Sequence, residues 1–452
     1  FPFNMKPIFL VFSLLLVEYC LTKAVQVPLE NAIDSGMYTL TMHIGSQGEA
    51  MKLHFDTGSG LTILPGNKCS KCSSRINKFN PAKSSTANEI GCTSDLCGSK
   101  SCNSQCRYKS LCQRNKCCDA TTPNMCGFYV AYLDGASAEG HLVRDTIRIG
   151  SSSNSATAET TFGLISVLSG NWDEDSEGLT GWYYYGNDGF PTKTPMWFDE
   201  YVSQHKSEGA KDIFTTCFGR TKGVLSVGDL DASLSTGAVH YTDIQSGSFY
   251  TVHLNDIRMD GNSLTSKAYS AVFDSGTTLT ILPQKVFSSL RRYFMTYYSH
   301  LPSLSSQTNV LDRSVVLTSP PSSDWPTIEY YFDGFYVSVP PSVYFLEVKS
   351  KGKSYWMFGI RSMDISYLLL GDTFMAGLTV VHDREKGVLG VGVPTEKCSY
   401  TGRSAINESS YHRSATSWTT VVSIVCIVII VIGFLGLIGW FMRSHKSTLP
   451  RH

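Results

Sequence analysis

The sequence has no excess of charge of either sign. Lys and Arg together number 38, Asp and Glu also number 38, and charged residues make up only 17% of the chain. A nucleic-acid partner or a polyacidic substrate would favour a strong basic excess, so neither is expected. The chain does have 452 residues, of which 42% are hydrophobic, and this is enough for a folded protein with more than one core.

Long helical patterns are also scarce between residues 25 and 398. Short alternating or β-branched runs, such as YTLTMHIG and HLVRDTIRIG, are separated by Gly, Asp, Asn and Pro. This pattern is typical of strands joined by turns. We therefore predict an all-β protein with a few short helices, for example over Met196–Gln204 and Gln284–Ser299.

Apolar runs lie near both ends of the chain. Residues 1–24 resemble a secretory signal peptide, with residues 1–4 upstream of the first Met, and residues 419–442 are apolar enough to span a bilayer. Because basic residues follow the span, the tail at 443–452 is expected to be cytosolic. We predict a single-pass type I membrane protein of the secretory pathway, in the endoplasmic reticulum, Golgi, vesicles or cell surface.

A polar, Ser- and Thr-rich segment at 399–418 precedes the predicted span. Its composition predicts a stalk between a folded region and the membrane. The segment contains the N-glycosylation sequon Asn407-Glu408-Ser409. Asn407 is therefore a candidate glycosylation site, and an unmodified linker is the alternative.

Most cysteines lie in one segment, 69–126, which contains no histidine. In an oxidising compartment disulfides are favoured there over a zinc site or redox chemistry, so no metal and no cofactor are predicted. The pairing within the segment stays open, whereas Cys217 and Cys398 are partners by elimination. The predicted disulfide cysteines are Cys69, Cys72, Cys92, Cys97, Cys102, Cys106, Cys112, Cys117, Cys118, Cys126, Cys217 and Cys398.

One motif occurs twice. LHFDTGSGLTILP at 53–65 is repeated as AVFDSGTTLTILP at 271–283, and both copies combine an Asp, a hydroxyl residue and a Gly with the same apolar sequence. Average composition makes two such copies in matching contexts far too rare to be chance. The repeat predicts two lobes related by a pseudo-two-fold axis, each presenting one acid, Asp56 or Asp274.

Two neighbouring carboxyl groups cannot both ionise readily, so one keeps a proton while the other is charged. The charged group can take a proton from a water molecule, and the protonated group can polarise a carbonyl, which gives hydrolysis without a covalent intermediate. In each loop the Gly allows a tight turn, the first hydroxyl can bond across to the other loop, and the second can bond the outer carboxylate oxygen. These supporting residues are Thr57, Gly58, Ser59, Ser275, Gly276 and Thr277.

With these motifs the chain resembles the pepsin-like aspartic endopeptidases from about residue 38 to residue 393. The resemblance places a flap at 128–150 with Tyr132, Asp134 and Gly135 over the cleft, and supporting elements at Gly178–Gly181 and Tyr367–Val393. It implies an all-β, bilobal pepsin-like fold, with an N-terminal lobe at 25–222 and a C-terminal lobe at 223–398. It also implies an aspartic-type endopeptidase that acts on polypeptide substrates as a monomer without a cofactor.

Within this family the cysteine-rich insert at 69–126 resembles that of nepenthesin-type plant proteases. Together with a C-terminal anchor it is similar to plasmepsin V and its relatives, and β-secretase-like enzymes are a second anchored group. The alternative to an enzyme is a catalytically silent, membrane-anchored peptide-binding or adhesion protein of the same fold. The two intact Asp loops argue against that alternative, because a binder has no use for two acids that repel each other.

The chain departs from the family pattern in three places. Ile63 stands where many relatives have a Trp that bonds the flap tyrosine, so control of the flap is expected to differ. Only a short segment separates the predicted signal from Tyr38, so no conventional zymogen is expected. The stretch at 170–190 is rich in acids and aromatics. It is expected either to line the cleft and favour basic substrate side chains or to be a solvated loop.

Overall fold

The structure is a computed structural model that describes residues 24–32, 35–97, 112–113, 116–170, 172, 175–184, 195–301, 304, 311, 315–398 and 404–409. Within these ranges no helix is both long and apolar enough to cross a membrane. The predicted signal peptide up to residue 23, the predicted span at 419–442 and the predicted tail at 443–452 lie outside the described residues.

The described residues form a mostly β fold, as predicted. The first half of the chain contains the strands β1 (Val25–Ala32), β2 (Met37–Ile44), β3 (Glu49–Asp56), β4 (Ile63–Ser70), β5 (Asn88–Glu89), β6 (Cys112–Gln113), β7 (Lys116–Cys117), β8 (Gly127–Ala131), β9 (Ser137–Ser151), β10 (Asn154–Ser169), β11 (Leu179–Gly181), β12 (Ile213–Cys217) and β13 (Gly223–Val227). The second half contains β14 (Ser235–Asp243), β15 (Thr251–Leu254), β16 (Asp256–Met259), β17 (Asn262–Ser263), β18 (Tyr269–Phe273), β19 (Thr280–Pro283), β20 (Val316–Leu317), β21 (Ile328–Tyr331), β22 (Phe335–Val339), β23 (Phe345–Ser350), β24 (Lys353–Phe358), β25 (Ile360–Met363), β26 (Leu368–Leu370), β27 (Thr379–Asp383), β28 (Val388–Pro394) and β29 (Ala405–Glu408).

Helices are short and few in the described ranges. They are α1 (Trp197–His205), α2 (Gln284–Tyr297), α3 (Pro341–Tyr344) and α4 (Asp372–Met375), with 3₁₀ turns at Pro81–Lys83, Lys206–Glu208, Ala232–Leu234 and Glu396–Cys398. In α2 the buried residues Val286, Leu290 and Phe294 recur every four positions, which places them on one face against the core. Both helices predicted from the sequence, over 196–204 and 284–299, are present with slightly shifted ends.

Burial along the strands follows from their place in the sheets. In β22 the residues Phe335, Val337 and Val339 are buried and alternate with half-exposed neighbours, because successive side chains of a strand point to opposite faces. Every residue of β12 is buried. This strand lies inside the largest sheet, so side chains on both of its faces are covered.

The largest sheet of the described residues joins strands from both halves of the chain. Its 14 strands run in the order β14-β28-β27-β12-β13-β1-β2-β3-β11-β4-β10-β9-β5, with β8 beside β9. Within it β12 pairs with β13 on one side and with β27 on the other. The lobe boundary predicted at 222/223 therefore falls between two paired strands of a shared sheet. Sequence patterns did not show the shared sheet, because the pairing of β12 with β27 joins residues far apart in the chain.

Each half also contains the same arrangement around its Asp loop. In the first half β11 lies parallel to β3 and also pairs with β4. In the second half β26 lies parallel to β18 and also pairs with β19. β3 and β18 lead directly into the two Asp loops. Short parallel strands thus support both loops in the same way, and they lie within the supporting elements that the family resemblance implies.

Part of the predicted stalk belongs to the folded region, which corrects the boundary at 399. The strand β29 pairs antiparallel with β22, and its residue Ile406 lies opposite Val337. Asn407 lies opposite Tyr336, and its Nδ2 is 3.5 Å from the Oγ of Ser338. The polar composition of 399–418 predicted a linker, but backbone pairing to an open sheet edge does not require an apolar segment.

Candidate active site

Two loops bring their aspartates to equivalent positions. Asp56 is the last residue of β3, and Asp274 directly follows β18. Asp56 is only 4% exposed. Its Oδ1 accepts the N–H of Gly58 at 2.7 Å, and Oδ1 of Asp274 accepts the N–H of Gly276 at 2.9 Å. The repeated sequence therefore forms a repeated hydrogen-bond pattern around two carboxyl groups.

Gly58 and Gly276 allow the two loops to meet. A Cβ atom on Gly58 would lie 2.3 Å from Oδ1 of Asp274, and one on Gly276 would lie 2.2 Å from Oδ1 of Asp56. Neither glycine is among the residues with positive φ. The glycines are thus required by the close approach of the opposite carboxylate and not by a left-handed turn.

Thr57 and Ser275 bond across the two loops. The N–H of Thr57 donates to Oγ of Ser275 at 3.1 Å, and the N–H of Ser275 donates to Oγ1 of Thr57 at 2.9 Å. The hydroxyl of Thr57 donates to the carbonyl of Phe273 at 3.1 Å, and that of Ser275 donates to the carbonyl of Phe55 at 2.8 Å. Because these bonds are buried, the distance between the two loops is tightly fixed.

The outer oxygens of the carboxyl groups are held differently. The hydroxyl of Thr277 donates to Oδ2 of Asp274 at 2.7 Å. The hydroxyl of Ser59 is close enough to lower the pKa of Asp56. However, it forms no complete hydrogen bond within the described part of the chain. The symmetric role predicted for Ser59 and Thr277 is therefore seen only at Thr277, and the two acids differ in their surroundings.

Burial raises the pKa of both acids. For Asp274, burial and then the neighbouring charge of Asp56 raise the pKa to about 7. For Asp56, burial also raises the pKa, but Ser59, the N–H of Gly58 and a hydrogen bond with Asp274 counteract this. The two groups titrate as a coupled pair. These causes favour Asp274 as the group that keeps the shared proton and Asp56 as the group that loses its proton first.

The predicted flap is a hairpin of β8 and β9, close to the predicted range of 128–150. At its tip the N–H of Gly135 donates to the carbonyl of Tyr132 at 3.1 Å, and Gly135 has φ of 86°. Oδ1 of Asp134 accepts the N–H of Ala136 at 2.8 Å. Asp134 and Gly135 thus shape the turn. Tyr132 lines the same cleft as Asp56, and burial together with the charge of Asp56 raises the pKa of Tyr132.

A cleft of about 730 Å³ contains both aspartates and extends below the flap. Apart from the two catalytic loops and the flap turn, its walls are mostly apolar and come from both halves of the chain. They include Phe128, Val130, Leu133, Trp172, Leu179, Phe249, Val272, Leu279, Ile281, Met363, Tyr367 and Leu369. From the described part of the acidic stretch at 170–190, only Trp172, Ser176, Gly178 and Leu179 line the cleft. No described acid of that stretch does so.

The described cysteines form disulfides. The structure pairs Cys217 with Cys398, and the bridges within the insert are Cys69–Cys72, Cys92–Cys118 and Cys97–Cys126. Cys117 is also disulfide-bonded. Cys102, Cys106 and the side chain of Cys112 lie outside the described residues. Within the described ranges no group of His, Cys, Asp or Glu is arranged to hold a metal ion.

Two titratable residues near the aspartates were not singled out from the sequence. His54 lines the cleft, and its Nε2 lies 3.4 Å from the carbonyl oxygen of Ser275. Its position two residues before Asp56 on a strand could have shown this, since alternate residues share a face. Asp372 follows the second supporting strand and is fully buried. Neither of its carboxylate oxygens has a hydrogen-bond partner in the described part of the chain.

Comparisons with known proteins agree with this geometry. The family model for eukaryotic aspartyl protease matches residues 37–97 and 92–393, so the chain belongs to this family of pepsin-like enzymes. An aspartic protease of Phaffia rhodozyma is 26% identical over 66% of this chain and 69% of its own length. Nepenthesin-1 of Nepenthes gracilis is 25% identical, over 78% of this chain and 77% of its own. Pepsin A of Bos taurus is 24% identical, over 80% and 86%. The protein is an aspartic endopeptidase.

Proposed function

We propose that this endopeptidase cleaves peptide bonds with a water molecule activated between Asp56 and Asp274, without a covalent intermediate. The main observation that supports the proposal is the arrangement of Asp56 and Asp274. The carboxyl groups of Asp56, which is buried, and of Asp274, which is half-buried, lie against each other's loops, and cross-loop bonds fix these loops in place. Their surroundings also differ, and the pKa of Asp274, raised to about 7 by burial and by the charge of Asp56, supports Asp274 as the group that keeps its proton.

The unequal protonation assigns the roles. The carboxylate of Asp56 takes a proton from the water as the water oxygen attacks the scissile carbonyl carbon. The carboxyl group of Asp274 donates its hydrogen bond to the carbonyl oxygen and protonates it, which gives a neutral tetrahedral diol. Asp56 then delivers its proton to the leaving nitrogen. Asp274 recovers a proton from one hydroxyl group as the carbonyl reforms, and the pair returns to its starting state.

The walls of the cleft indicate the substrate. Bulky apolar residues from both halves line it, including Phe128 and Leu133 on the flap side and Phe249, Met363 and Tyr367 on the other. Burying apolar side chains against such walls is favourable by about 25 cal/mol per Å² of apolar surface removed from water. We therefore expect polypeptides with bulky apolar side chains beside the cut. This differs from the preference for basic side chains that the acidic stretch could have provided.

We further propose that the enzyme is a type I membrane protein of the secretory pathway, with its catalytic region in the lumen or outside the cell. The bridge between Cys217 and Cys398 and those in the insert support this, because disulfides persist in oxidising compartments. The pKa of about 7 at Asp274 suits a compartment that is only mildly acidic. The insert and its bridges also support a place near the nepenthesin-type branch.

The alternative is a catalytically silent, membrane-anchored peptide-binding protein. It is tested by incubating the full chain with a peptide library between pH 4 and 8. Cleavage should be lost in both Asp56→Asn and Asp274→Asn and blocked by a statine-type transition-state mimic. Both variants should still fold, since Asn keeps the size and shape of Asp. Cleavage that survives either substitution would exclude the mechanism, and peptide binding without any cleavage would favour the silent protein.

A further inference from the structure

The flap tyrosine of this protein has an unusual neighbour. The ring of Tyr132 packs edge-to-face on the indole of Trp172, with ring centroids 5.8 Å apart and an angle of 84° between the planes. Only burial and the charges of Asp56 and Asp134 act on the Tyr132 hydroxyl, and no hydrogen bond joins it to another residue in the described ranges. The ring of Tyr132 and not its hydroxyl therefore makes the contact that positions it.

Ile63 cannot form a hydrogen bond with this tyrosine. Its side chain is fully buried and has only carbon atoms to offer. It belongs to a hydrophobic cluster with Phe128, Leu142 and Leu179, and both Tyr132 and Trp172 pack against this cluster. Ile63 thus contributes to an apolar floor, while the directional contact to the tyrosine comes from the indole.

Trp172 is hydrogen-bonded to the strand that pairs with the base of the flap. Nε1 of Trp172 donates to the carbonyl of Ser169, 3.3 Å away, at the end of β10. Ser169 in turn pairs with Ser137, the first residue of the flap strand β9. Gly170 has φ of 83°, and a Cβ atom there would lie 2.7 Å from Cα of Ala136 in the flap turn. The indole and the flap therefore share one supporting structure.

Trp172 also lines two cavities. One is the catalytic cleft, and the other, of about 390 Å³, is lined by Trp172 together with Lys71, Cys72 and Leu168. The half-buried indole therefore lies at the surface of both cavities and not inside a closed core.

We propose that Trp172 is the positioning residue for the flap, which holds Tyr132 over Asp56 by an aromatic edge-to-face contact in place of the hydrogen bond that Ile63 cannot form. This proposal rests on the proposed catalytic function of the cleft. An edge-to-face pair is a weak but directional contact, so its loss should change how often the flap is closed over a substrate. The expected effect is a lower kcat/KM without loss of the fold.

The test compares Trp172→Phe with Trp172→Leu in the full chain, because both are apolar but only Phe keeps a ring. We expect kcat/KM to fall about tenfold in Trp172→Leu and less than about threefold in Trp172→Phe, as an aromatic contact of this kind contributes. Trp356→Ala, which removes a half-buried indole outside the cleft, serves as the control and should leave kcat/KM unchanged. Thermal unfolding of each variant shows whether it is folded.

A double-mutant cycle with Tyr132→Leu separates flap positioning from a general structural role. If Trp172 acts through Tyr132, adding Trp172→Leu to Tyr132→Leu should lower kcat/KM little further. Tyr132→Leu and the double variant should then bind a statine-type mimic equally weakly. Additive losses, or equal activity of the Phe and Leu variants at 172, would overturn the proposal. Asp56→Asn is measured in parallel. If it still cleaves peptides, the proposed function fails, whereas an inactive Asp56→Asn with an unaffected Trp172→Leu refutes only the flap proposal.

Discussion

Replacing His382 with Phe is expected to make the protein less sensitive to acid. His382 lies in the shared sheet, is 1% exposed, and stacks on Phe214 with ring centroids 4.2 Å apart. The ring of Tyr250 packs edge-to-face with His382, with ring centroids 4.5 Å apart. Neither ring nitrogen forms a complete hydrogen bond among the described residues, although the backbone groups of Phe214 and Val380 are close enough to raise its pKa to a small extent. Burial and then the positive charge of Arg384 lower the pKa of His382 to about 3.

The direction of the effect follows from this lowered pKa. The folded state keeps His382 neutral, whereas the unfolded chain binds a proton below a pKa of about 6.5. The stability that depends on the neutral imidazole is therefore fully present above pH 6.5 and is lost as the pH falls toward the folded pKa. At pH 4.5 this amounts to about 3 kcal/mol of unfolding free energy relative to pH 7.5.

The assay is urea unfolding of the wild type and of His382→Phe at pH 4.5 and pH 7.5. The phenyl ring can stack on Phe214 in the same place, but its larger size can also shift stability by about 1–3 kcal/mol at both pH values. The informative quantity is therefore the difference in unfolding free energy between His382→Phe and the wild type, measured at each pH. This difference should shift in favour of the variant by about 3 kcal/mol when the pH is lowered from 7.5 to 4.5. His300→Phe, at an exposed position, controls for adding a phenyl ring. A pH-independent difference between wild type and His382→Phe would refute this reasoning.

Three further predictions concern the active site and its support. Gly276→Ala should lower kcat/KM by about 100-fold or more, because its Cβ would displace the carboxylate of Asp56 and small misplacements of reacting groups are costly; wild-type activity would contradict the close approach. Burial, and then the charges of Asp274 and Asp56, raise the pKa of Asp372, so its contribution to stability is present below pH 4 and lost as the pH rises. The unfolding free energy of Asp372→Asn relative to that of the wild type should thus be higher at pH 7.5 than at pH 4.5. If urea unfolding gives the same difference at both pH values, this would argue against a buried neutral acid. Cys398→Ser removes a bridge between residues 181 positions apart and should lower the unfolding free energy by about 2–5 kcal/mol, whereas a loss below 1 kcal/mol would mean that the bridge adds little.

The parts of the site that repeat in sequence could be predicted from it. The chemistry of a shared proton requires two acids, small residues between them and hydroxyl groups to hold the loops, and the repeated motif supplies all of these. The cross-loop bonds of Thr57 and Ser275 have the form that this reasoning expects. The reason for Gly58 and Gly276 was only partly foreseen, because the distance to the opposite carboxylate depends on how the loops meet.

Features set by contacts between distant segments could not be predicted. The pairing of β12 with β27 joins residues more than 150 positions apart, and the local pattern of each strand gives no sign of its partner. The same holds for β29, whose polar sequence looks like a linker but pairs with β22. Trp172 was part of an acidic stretch with two open interpretations, and only its place beside Tyr132 gives it a role.

The central claim is that peptide cleavage needs one proton shared by Asp56 and Asp274, with the proton held by Asp274. The most direct test is the pH dependence of kcat/KM, measured with the full chain and one peptide from pH 3.5 to 9. Because the pKa of Asp274 is raised to about 7, activity should persist through mildly acidic pH and fall tenfold per pH unit above about 7. Activity that stays constant to pH 9, or that has already fallen tenfold between pH 5 and pH 6, would contradict this account.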